Sequence, residues 1–475
     1  MAQNEKVLLP KKTGDLSDWY TAVNRLADLF DYGPAKGSMI FKPYGYAIWE
    51  NIQKALDAEF KIRGIENAYF PLLIPMSYLE REKDHVAGFA PELAVVTVGG
   101  GEKLEEPLVV RPTSETIMYE YYAKWIQSWR DLPVLINQWN NVVRWEKRTL
   151  PFLRTSEFLW QEGHTAHATA EEARETQTWA MDAYVKIYRE FLALDGYTGT
   201  KSQSERFAGA EDTLTYETMM PSGKSLQSCT SHYFGQKMAR AFNISFQNQD
   251  GKQDFAYQTS WGLSTRSIGG LILMHGDDHG LRLPPKIAPV QVVVVPVKTD
   301  DDILTEAEKI ATELHEVGVR AQVDARDGES FGFKLNKWEV KGAPVIIKLG
   351  AKEISDGKIS YRRRDSLTDG DFARKKLPAK ILQLLDDIQT DMLSESTALR
   401  DNETRTAKDY AEFKKILKEH KGFIKVHWNE NPETEAKIKA ETKAKTSCRL
   451  DEASDGIDFY TGEPAKEVWL FAQSY

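Results

Sequence analysis

The sequence predicts an α+β protein in which a mostly antiparallel sheet precedes a smaller α/β domain and a small α/β C-terminal module. Strand-like stretches recur between residues 95 and 261, with few helices among them. Pro284 and Pro285 then interrupt the chain, and beyond them apolar strands alternate with helices. The predicted domains span residues 1–284, 285–400 and 401–475.

The composition is typical of a soluble globular protein, because 41% of the 475 residues are hydrophobic and 28% are charged. The chain has two cysteines, Cys229 and Cys448, which excludes a disulfide framework. Residues 1–7 are polar, and no run approaches the roughly 20 apolar residues that span a bilayer. We therefore expect a cytoplasmic protein with no membrane partner.

The net charge of −9 argues against a general nucleic-acid coat. It leaves an RNA partner open, since affinity depends on local basic surface. Basic runs at residues 362–364 and 374–376 are candidates for such a surface. Runs of this kind are more often solvated faces, and charge alone favours that interpretation.

The first elements follow from helical and strand spacing. A capped amphipathic helix is predicted over residues 17–30, and apolar residues at helical spacing predict a second one over 44–61. The stretch 67–75 is typical of a strand, and Pro71 is tolerated at a sheet edge.

The middle of the chain predicts two groups of strands separated by a helix. A Gly-rich turn at residues 99–101 is not followed by the helix start of a phosphate-binding loop, so we give it no nucleotide role. Predicted strands lie at residues 95–98, 106–110, 134–146, 156–164, 212–220, 225–235 and 254–261, and predicted helices at 170–193 and after 266.

Beyond the proline cluster, the apolar run at residues 291–297 suits a buried strand. A helix at about 302–316 and strands near 320–324 and 345–349 follow, which predicts a sheet containing parallel strands. From about residue 400 the chain is rich in Lys and Glu, as in a solvated helix.

Arg144, Glu146, Arg154, Phe158 and Arg266 together predict a nucleoside triphosphate site that needs no P-loop. Guanidinium groups match phosphate oxygens, so the three arginines suit a triphosphate. The phenylalanine ring can stack on a base, and the carboxylate can accept a hydrogen bond from an adenine amino group. Each residue alone would more often be a surface charge or a core ring. Their combination favours a nucleotide site.

These residues carry a resemblance to a known family. The segments from 144 to 154 and from 262 to 266 resemble motifs 2 and 3 of the class II aminoacyl-tRNA synthetases. Arg111-Pro-Thr-Ser-Glu115 and Trp160-Gln-Glu-Gly-His164 are similar to segments of prolyl-tRNA synthetases of the archaeal/eukaryotic-like type. The family's catalytic domain has a mostly antiparallel sheet, and an α/β anticodon-binding domain follows it.

The resemblance runs over about residues 10 to 475 and implies a function. It implies a ligase that activates L-proline with ATP, releases pyrophosphate and transfers proline to the 3′-end of tRNA(Pro). The helix and strand near residues 44–75 resemble motif 1, which builds the dimer interface in the family, so we expect a homodimer.

The resemblance also assigns roles to residues. Arg144 is the main catalytic residue and Arg266 the second, and Mg²⁺ shares the phosphate charge. The carboxylates of Glu115 and Glu162 can accept hydrogen bonds from the secondary ammonium of proline. The indole of Trp160 can form a wall of the proline pocket and make a cation–π contact with that ammonium. The expected ATP site comprises Arg144, Glu146, Arg154, Thr155, Phe158, Gln227, Thr230 and Arg266. The expected proline site comprises Thr113, Glu115, Arg144, Trp160, Glu162, His164 and His232.

Two segments resemble metal sites of other proteins. His275-Gly-Asp-Asp-His279 has ligand residue types and would favour a metal-dependent phosphohydrolase. No distant ligands complete that set, and in relatives the run is structural. Relatives often bind zinc through four cysteines in the C-terminal module, where only Cys448 remains, with Asp451, Thr461 and Glu463 nearby. We therefore expect no metal in either segment and no zinc.

Three residues are expected at the tRNA anticodon. Arg326, Glu339 and Lys352 lie at positions like those that read a G-rich anticodon in relatives, where Arg or Lys contacts guanine edges and Glu its amino group. Ile346 stands where relatives can carry a basic side chain. At the other end of the molecule, Tyr475 matches the family's last residue, whose carboxylate reaches toward the active site.

Some prolyl enzymes insert an editing domain between motifs 2 and 3. In this chain, the stretch from His167 to Gln227 is taken up by a predicted helix and strands, so we expect no such domain.

Two alternatives stay open. A synthetase of the same subclass for threonine, histidine, serine or glycine is disfavoured because the pocket lacks a zinc ligand set and has Glu115 with Trp160. A catalytically silent tRNA-binding paralogue would be expected to have lost Arg144, Glu146 or Arg266, and all three are present.

Overall fold

The computed structural model describes residues 9–80 and 93–475. The polar segment at residues 1–7 lies outside them. Among the described residues, no helix combines the length and apolar character needed to traverse a bilayer. A cytoplasmic location stays a prediction.

Several helices begin where the sequence supplies a side-chain cap. At the first helix, the carboxylate of Asp15 accepts hydrogen bonds from the backbone N–H groups of Ser17 and Asp18. The α-helices in the described part of the chain are α1 (Leu16–Leu26), α2 (Pro43–Ile62), α3 (Met76–Leu79), α4 (Glu115–Trp125), α5 (Ala170–Lys186), α6 (Lys237–Phe242), α7 (Arg266–His275), α8 (Asp301–Glu316), α9 (Phe331–Lys341), α10 (Ala351–Ser355), α11 (Leu377–Asn402), α12 (Tyr410–Glu419) and α13 (Pro432–Thr442).

The strands in the described residues are β1 (Phe30–Tyr32), β2 (Met39–Phe41), β3 (Glu66–Asn67), β4 (Leu73–Pro75), β5 (Ala94–Gly99), β6 (Glu102–Val110), β7 (Val134–Val143), β8 (Glu157–His167), β9 (Gly196–Thr200), β10 (Asp212–Met219), β11 (Ser225–Gly235), β12 (Ser245–Gln247), β13 (Gln253–Phe255), β14 (Tyr257–Ser264), β15 (Val292–Pro296), β16 (Ala321–Val323), β17 (Val345–Leu349), β18 (Lys358–Arg363), β19 (Asp369–Ala373), β20 (Thr404–Thr406), β21 (Phe423–His427), β22 (Lys445–Ile457) and β23 (Pro464–Ala472). The central strands of the sheets are buried along most of their length, as in β8, β11 and β15.

The largest sheet joins the first and last parts of the chain. It has eleven strands in the order β20-β21-β23-β22-β9-β10-β11-β14-β8-β7-β3. Only the pairs at its two edges, β20 with β21 and β3 with β7, are parallel. The other pairs are antiparallel, as predicted for the first domain. Because β22 pairs with β9, the C-terminal strands continue the main sheet.

The α/β domain has a five-stranded sheet in the order β16-β15-β17-β18-β19. The strand β15 is parallel to both of its neighbours, which confirms the prediction of parallel strands. Side chains of Val292, Val294 and Ile347 pack beneath α8 and α11 in one apolar cluster. The continuous valine run is therefore a strand buried on its sheet faces, as its composition indicated.

The prediction of a helix over residues 17–30 was wrong at its C-terminal end. The helix α1 stops at Leu26, and Asp28 takes a positive φ of 60°. Phe30 then enters the hairpin of β1 and β2, where it pairs with Phe41. The periodicity misled because Leu29 and Phe30 are fully buried in either conformation. The expected strand at 67–75 is likewise two short strands, β3 and β4.

The His275–His279 run connects the first domain to the α/β domain. Both carboxylate oxygens of Asp277 accept hydrogen bonds from the guanidinium of Arg364, at 2.8 and 2.6 Å. Nε2 of His275 lies 3.0 Å from the carbonyl of Leu192, and burial lowers the pKa of this histidine to about 3. These contacts are structural, as expected for this run.

Candidate active site

Strand β8 supplies one wall of a cavity of about 190 Å³ in the main sheet. Successive side chains of a strand point to opposite faces, so Phe158, Trp160, Glu162 and His164 share one face. All four line the cavity. The structure therefore brings four expected site residues together on one face of the strand.

Two carboxylates lie in this cavity and are held by hydrogen bonds. The hydroxyl groups of Thr113 and Ser260 both donate to Glu115, the latter at 3.0 Å. Glu162 accepts hydrogen bonds from the backbone and side chain of Ser114 and, at 2.6 Å, from the amide of Asn140. Both carboxylates are 2% exposed. A pocket that stabilises two buried negative charges is suited to a cation.

His164 offsets part of that charge. Its Nε2 lies 2.9 Å from Oε2 of Glu162. Burial would lower the pKa of His164, but Glu115 and Glu162 raise it above its ordinary value. Burial would likewise raise the pKa of Glu162, but the hydrogen bond and charge of His164 lower it. The pair therefore favours imidazolium and carboxylate.

His232, on the opposite wall, behaves in the reverse way. Its ring is stacked on Phe207 with centroids 4.4 Å apart and 27° between the planes. Nδ1 lies 3.0 Å from the hydroxyl of Thr213, and Nε2 lies 3.0 Å from that of Thr230. Burial lowers its pKa to about 3, so the ring is neutral near pH 7. It contributes an apolar, fixed wall.

Arg144 lines both this cavity and a neighbouring one of about 150 Å³. Its Nε donates to the carbonyl of Pro112 at 3.0 Å. The guanidinium carbon lies 5.6 Å from the ring centroid of Phe158 and 5.3 Å from that of Trp160, within reach of cation–π attraction. These contacts hold a positive charge at the junction of the two cavities.

The neighbouring cavity gathers the expected nucleotide residues. Arg154 and Glu146 form an ion pair at 2.8 Å, and Phe158 and Thr155 lie beside them. Arg266, at the first residue of α7, donates to the carbonyls of Leu153 at 3.2 Å and, more weakly, of Gln227. The hydroxyl of Thr155 donates to the carbonyl of Glu157, so it orders the strand start rather than facing the cavity centre.

A third cavity, of about 380 Å³, continues from these residues toward the C-terminus. Arg154, Gln227 and Arg266 line it, and so does Tyr475, as the resemblance implied. Glu146 and Glu217 line the same cavity. Both carboxylates are already paired with cations, Glu146 with Arg154 at 2.8 Å and Glu217 with Lys201 at 3.0 Å.

Three possible metal ligands meet in the first cavity. One atom each of Glu115, Glu162 and His164 lies within 4.8 Å of the other two. Both carboxylates are already engaged by several hydrogen-bond donors, and the imidazole carries a raised pKa. A metal would need the neutral imidazole, so the arrangement fits an organic cation with N–H donors better.

The expected anticodon residues lie in the α/β domain and are embedded in ion pairs. Arg326 donates to both oxygens of Asp324, at 2.8 and 2.7 Å. Glu339, on α9, pairs with Arg362 at 2.7 Å. Lys352 lies exposed on α10. Among these three residues, Lys352 is therefore the most accessible to a ligand.

The arginines of the two basic runs are paired with carboxylates. Arg362 also pairs with Asp369, and Arg363 pairs with Asp365 and Asp391. In the second run, Arg374 pairs with Glu306 and Glu313, whereas Lys375 and Lys376 are exposed. The run at 362–364 is therefore an ion-pair network and not the solvated face that charge alone favoured.

Sequence reasoning missed several residues that line the first cavity, among them Ser260, Glu205 and Phe207. Ser260 faces Glu115 from β14, and Glu205 and Phe207 enter from the loop between β9 and β10. Ser260 lies opposite His164 in the strand register, a signal that pairing β8 with β14 would have provided. The loop residues have no periodic pattern, so no such signal exists for them.

Comparisons with known proteins match three regions of the chain. The models are the tRNA synthetase class II core domain (G, H, P, S and T) over residues 97–275, the anticodon binding domain over 291–384, and the prolyl-tRNA synthetase C-terminal domain over 410–475. A proline--tRNA ligase of Rubrobacter xylanophilus is 52% identical over 98% of this chain and 98% of its own. Proline--tRNA ligase 2 of Clostridioides difficile is 48% identical over the whole of both chains.

Proposed function

The chain belongs to the proline--tRNA ligases, the class II synthetases that join L-proline to tRNA(Pro) at the expense of ATP, and we propose that Arg144 is the residue on which the activation step depends. The observation that carries this proposal is the position of its guanidinium at the junction of two cavities. One cavity suits an amino acid with a cationic nitrogen, and the other suits a nucleotide.

In the activation step, a carboxylate oxygen of proline attacks the α-phosphorus of ATP. The bond from that phosphorus to the bridging oxygen breaks, and pyrophosphate leaves. The nucleophile is already an anion, so the step needs charge neutralisation and alignment more than proton transfer. Arg144 bridges the two anions and stabilises the negative charge that accumulates on the α-phosphate. The adenylate then passes its acyl group to a ribose hydroxyl of tRNA, and AMP leaves.

ATP occupies the second and third cavities. Phe158 stacks on adenine, and Glu146 accepts a hydrogen bond from its amino group. Arg154 and Arg266 hold the β- and γ-phosphates, and Gln227 contacts ribose or phosphate. Thr230 and Thr155 complete the site at its margins. Mg²⁺ that accompanies ATP would neutralise part of the phosphate charge.

Proline occupies the first cavity. Glu115 and Glu162 accept the two N–H groups of its secondary ammonium. Trp160 covers one face of the pyrrolidine ring, and neutral His232 limits the cavity on the other side. Thr113 and His164 act through the carboxylates, whose orientation they fix by hydrogen bonds.

We propose that the anticodon is read in the α/β domain by Lys352, Arg326 and Glu339. Lys352 is exposed, so it can reach a guanine edge directly. Arg326 and Glu339 must exchange an intramolecular partner for a base. This predicts that Lys352→Ala raises the KM for tRNA and leaves proline activation unchanged.

We propose the archaeal/eukaryotic-like type with no editing domain in this chain. Residues 167–227 hold α5, β9 and β10 and leave no room for a further domain between motifs 2 and 3. The C-terminal domain over residues 410–475 accompanies this arrangement. The relatives named above are bacterial, so the proposal rests on domain organisation and not on the source.

We also propose a homodimer formed around α2 and the segment that follows it to β4, which the resemblance assigns to the dimer interface. Ile62, Tyr69 and Leu73 in this region are 82%, 71% and 40% exposed. Large apolar side chains left exposed on neighbouring elements indicate an interface. Light scattering that gives the mass of a single chain would contradict this proposal.

Pyrophosphate exchange into ATP tests the proposed function. We expect exchange that depends on proline and is much weaker with alanine, cysteine and threonine. Arg144→Ala should lose about 10²–10³ in rate, whereas Arg130→Ala, at an exposed arginine outside the cavities, should retain it. Exchange that prefers threonine, or none with any amino acid, would contradict the assignment of the pocket.

A further inference from the structure

The loop between β9 and β10, residues 201–211, brings two side chains into the first cavity. Glu205 and Phe207 line that cavity, and Phe207 stacks on His232 at 4.4 Å. The loop itself is built of turns, in which the N–H groups of Glu205 and Arg206 both donate to the carbonyl of Ser202. Turns of this kind have few backbone bonds to fix them, so other contacts must set the position of Phe207.

Those contacts come from the C-terminal domain. Lys439 on α13 and Lys445 on β22 form ion pairs with the carboxylate of Glu205, at 3.0 and 3.2 Å. Burial would raise the pKa of Glu205, but Lys445 and Lys439 lower it below its ordinary value. Two lysines of another domain therefore converge on one carboxylate that lines the pocket.

A second group of contacts holds the start of the loop. The hydroxyl of Ser202 donates to Glu435 at 2.9 Å and lies 3.0 Å from the hydroxyl of Thr446. Thr446 also donates to Glu435. These three side chains are at most 3% exposed, so a lost donor would leave a buried carboxylate poorly satisfied. The neighbouring Gln203 donates its N–H to Glu430.

The ring of Phe207 connects the loop to the proline pocket. Phe207 covers His232, whose nitrogens are fixed by Thr213 and Thr230 on β10 and β11. The backbone N–H of Phe207 also bonds the hydroxyl of Thr213, at 3.2 Å. A displacement of the loop would therefore widen the cavity on this wall and alter the contact of His232 with the substrate ring.

We propose that Glu205 and Ser202 are positioning residues through which the C-terminal domain holds Phe207 in the proline pocket and so sets the affinity for proline. The proposal rests on the assignment of proline to this cavity. It gives the C-terminal domain a role in amino-acid binding that does not require a metal or direct contact with the substrate.

The test is pyrophosphate exchange by the full chain with Lys439→Ala, because Lys445 also lines the third cavity, which is assigned to ATP. We expect the KM for proline to rise about two- to fivefold, because a partly exposed ion pair is lost. The KM for ATP and the apparent Tm should stay at their wild-type values, since Lys439 lines none of the three cavities and does not belong to the core. Lys439→Arg should restore the KM for proline.

Lys437→Ala is the matched control, because Lys437 is an exposed lysine on the same helix. Ser202→Ala, measured in parallel with hydrogen exchange of residues 201–211, provides a second variant. Faster exchange of this segment together with a raised KM for proline supports the proposal. A wild-type KM for proline in both variants overturns it, as does a joint change in both KM values and Tm. Failure of the wild-type protein to show proline-dependent exchange would instead overturn the proposed function.

Discussion

Nε2 of His164 lies 2.9 Å from Oε2 of Glu162, and both side chains are almost completely buried. Each group stabilises the charged form of the other. The pKa of His164 is therefore raised and the pKa of Glu162 is lowered. A raised folded-state pKa means that protonation of His164 stabilises the fold. This contribution is complete below the unfolded value of 6.5 and is lost as the pH rises through the folded-state pKa.

His164→Gln should therefore lower the apparent Tm most below pH 6.5, and the difference from wild type should narrow as the pH rises. Melting curves from pH 5.5 to 8.5 provide the measurement. Glutamine keeps a hydrogen-bond donor for Glu162 but carries no charge. The difference between the variant and the wild type therefore measures the effect of the imidazolium charge.

His232 is the internal control for this experiment, because its shift has the opposite sign. Its pKa is lowered to about 3, so its contribution to stability is present above 6.5 and is lost as the pH falls. The difference between wild type and His232→Gln should therefore narrow toward low pH. Parallel pH dependences for the two variants would show that the assigned protonation states are wrong.

The part of the site that could be predicted lies on strands. Successive side chains of β8 point to opposite faces of the sheet. The alternate residues Phe158, Trp160, Glu162 and His164 therefore lie on the same face. Phe207 could not be predicted, because its place depends on contacts between a turn-rich loop and side chains more than 200 positions along the chain. No local pattern encodes a contact of that separation.

The fold shows the same division. The strand-like stretches and the valine run predicted the types of the two sheets, but not the order of their strands. The pairing of β22 with β9 merges two predicted domains into one sheet, through the residue pair of Arg449 and Thr200. The basic run at 362–364 was ambiguous for a similar reason, because its carboxylate partners lie on other elements.

Phe158→Leu should weaken the binding of ATP more than the binding of proline. Stacking of a base on an aromatic ring contributes about 1–3 kcal/mol, so the KM for ATP should rise roughly 5- to 150-fold in pyrophosphate exchange. Phe158→Tyr retains the ring and should stay near wild type. A KM for ATP that is unchanged in Phe158→Leu would place adenine elsewhere.

Arg364→Met should reduce the charging of tRNA more than the activation of proline. The Arg364 side chain is 1% exposed and holds Asp277 across the junction of the catalytic and anticodon-binding domains. Breaking a buried pair costs about 3–5 kcal/mol, and the 30% exposure of Asp277 reduces this to roughly 2 kcal/mol. We expect a lower rate of aminoacylation with little loss of pyrophosphate exchange, since one of the contacts that orient the anticodon-binding domain is lost.

Arg363→Met is the matched control, because Arg363 pairs with Asp365 and Asp391 within the anticodon-binding region. It should affect stability without separating the two activities. Equal losses of exchange and aminoacylation in Arg364→Met would refute a role in domain orientation.

The C-terminal domain should fold without zinc. Structural zinc needs four N or S ligands, and burial raises the pKa of the Cys448 thiol, which disfavours a thiolate ligand. Asp458, 1% exposed, instead accepts the backbone N–H groups of Asn429, Tyr460 and Thr461 at 2.7 to 2.9 Å. One carboxylate thus joins two turns. We expect a metal assay to find no stoichiometric zinc and a chelator to leave the apparent Tm unchanged.

Asp458→Ala should then destabilise this domain by about 3 kcal/mol or more, because three backbone donors lose their acceptor at once. Asp455→Ala is the control, because the Asp455 side chain is 95% exposed and makes a long ion pair of 4.0 Å with Lys466. Thermal melting of the full chain provides the measurement. If Asp458→Ala melts like Asp455→Ala, or if the chelator lowers the Tm of the wild-type protein, then a bound ion and not the carboxylate holds the turns together. The strands of this domain extend the main sheet, so its loss should also reduce proline activation.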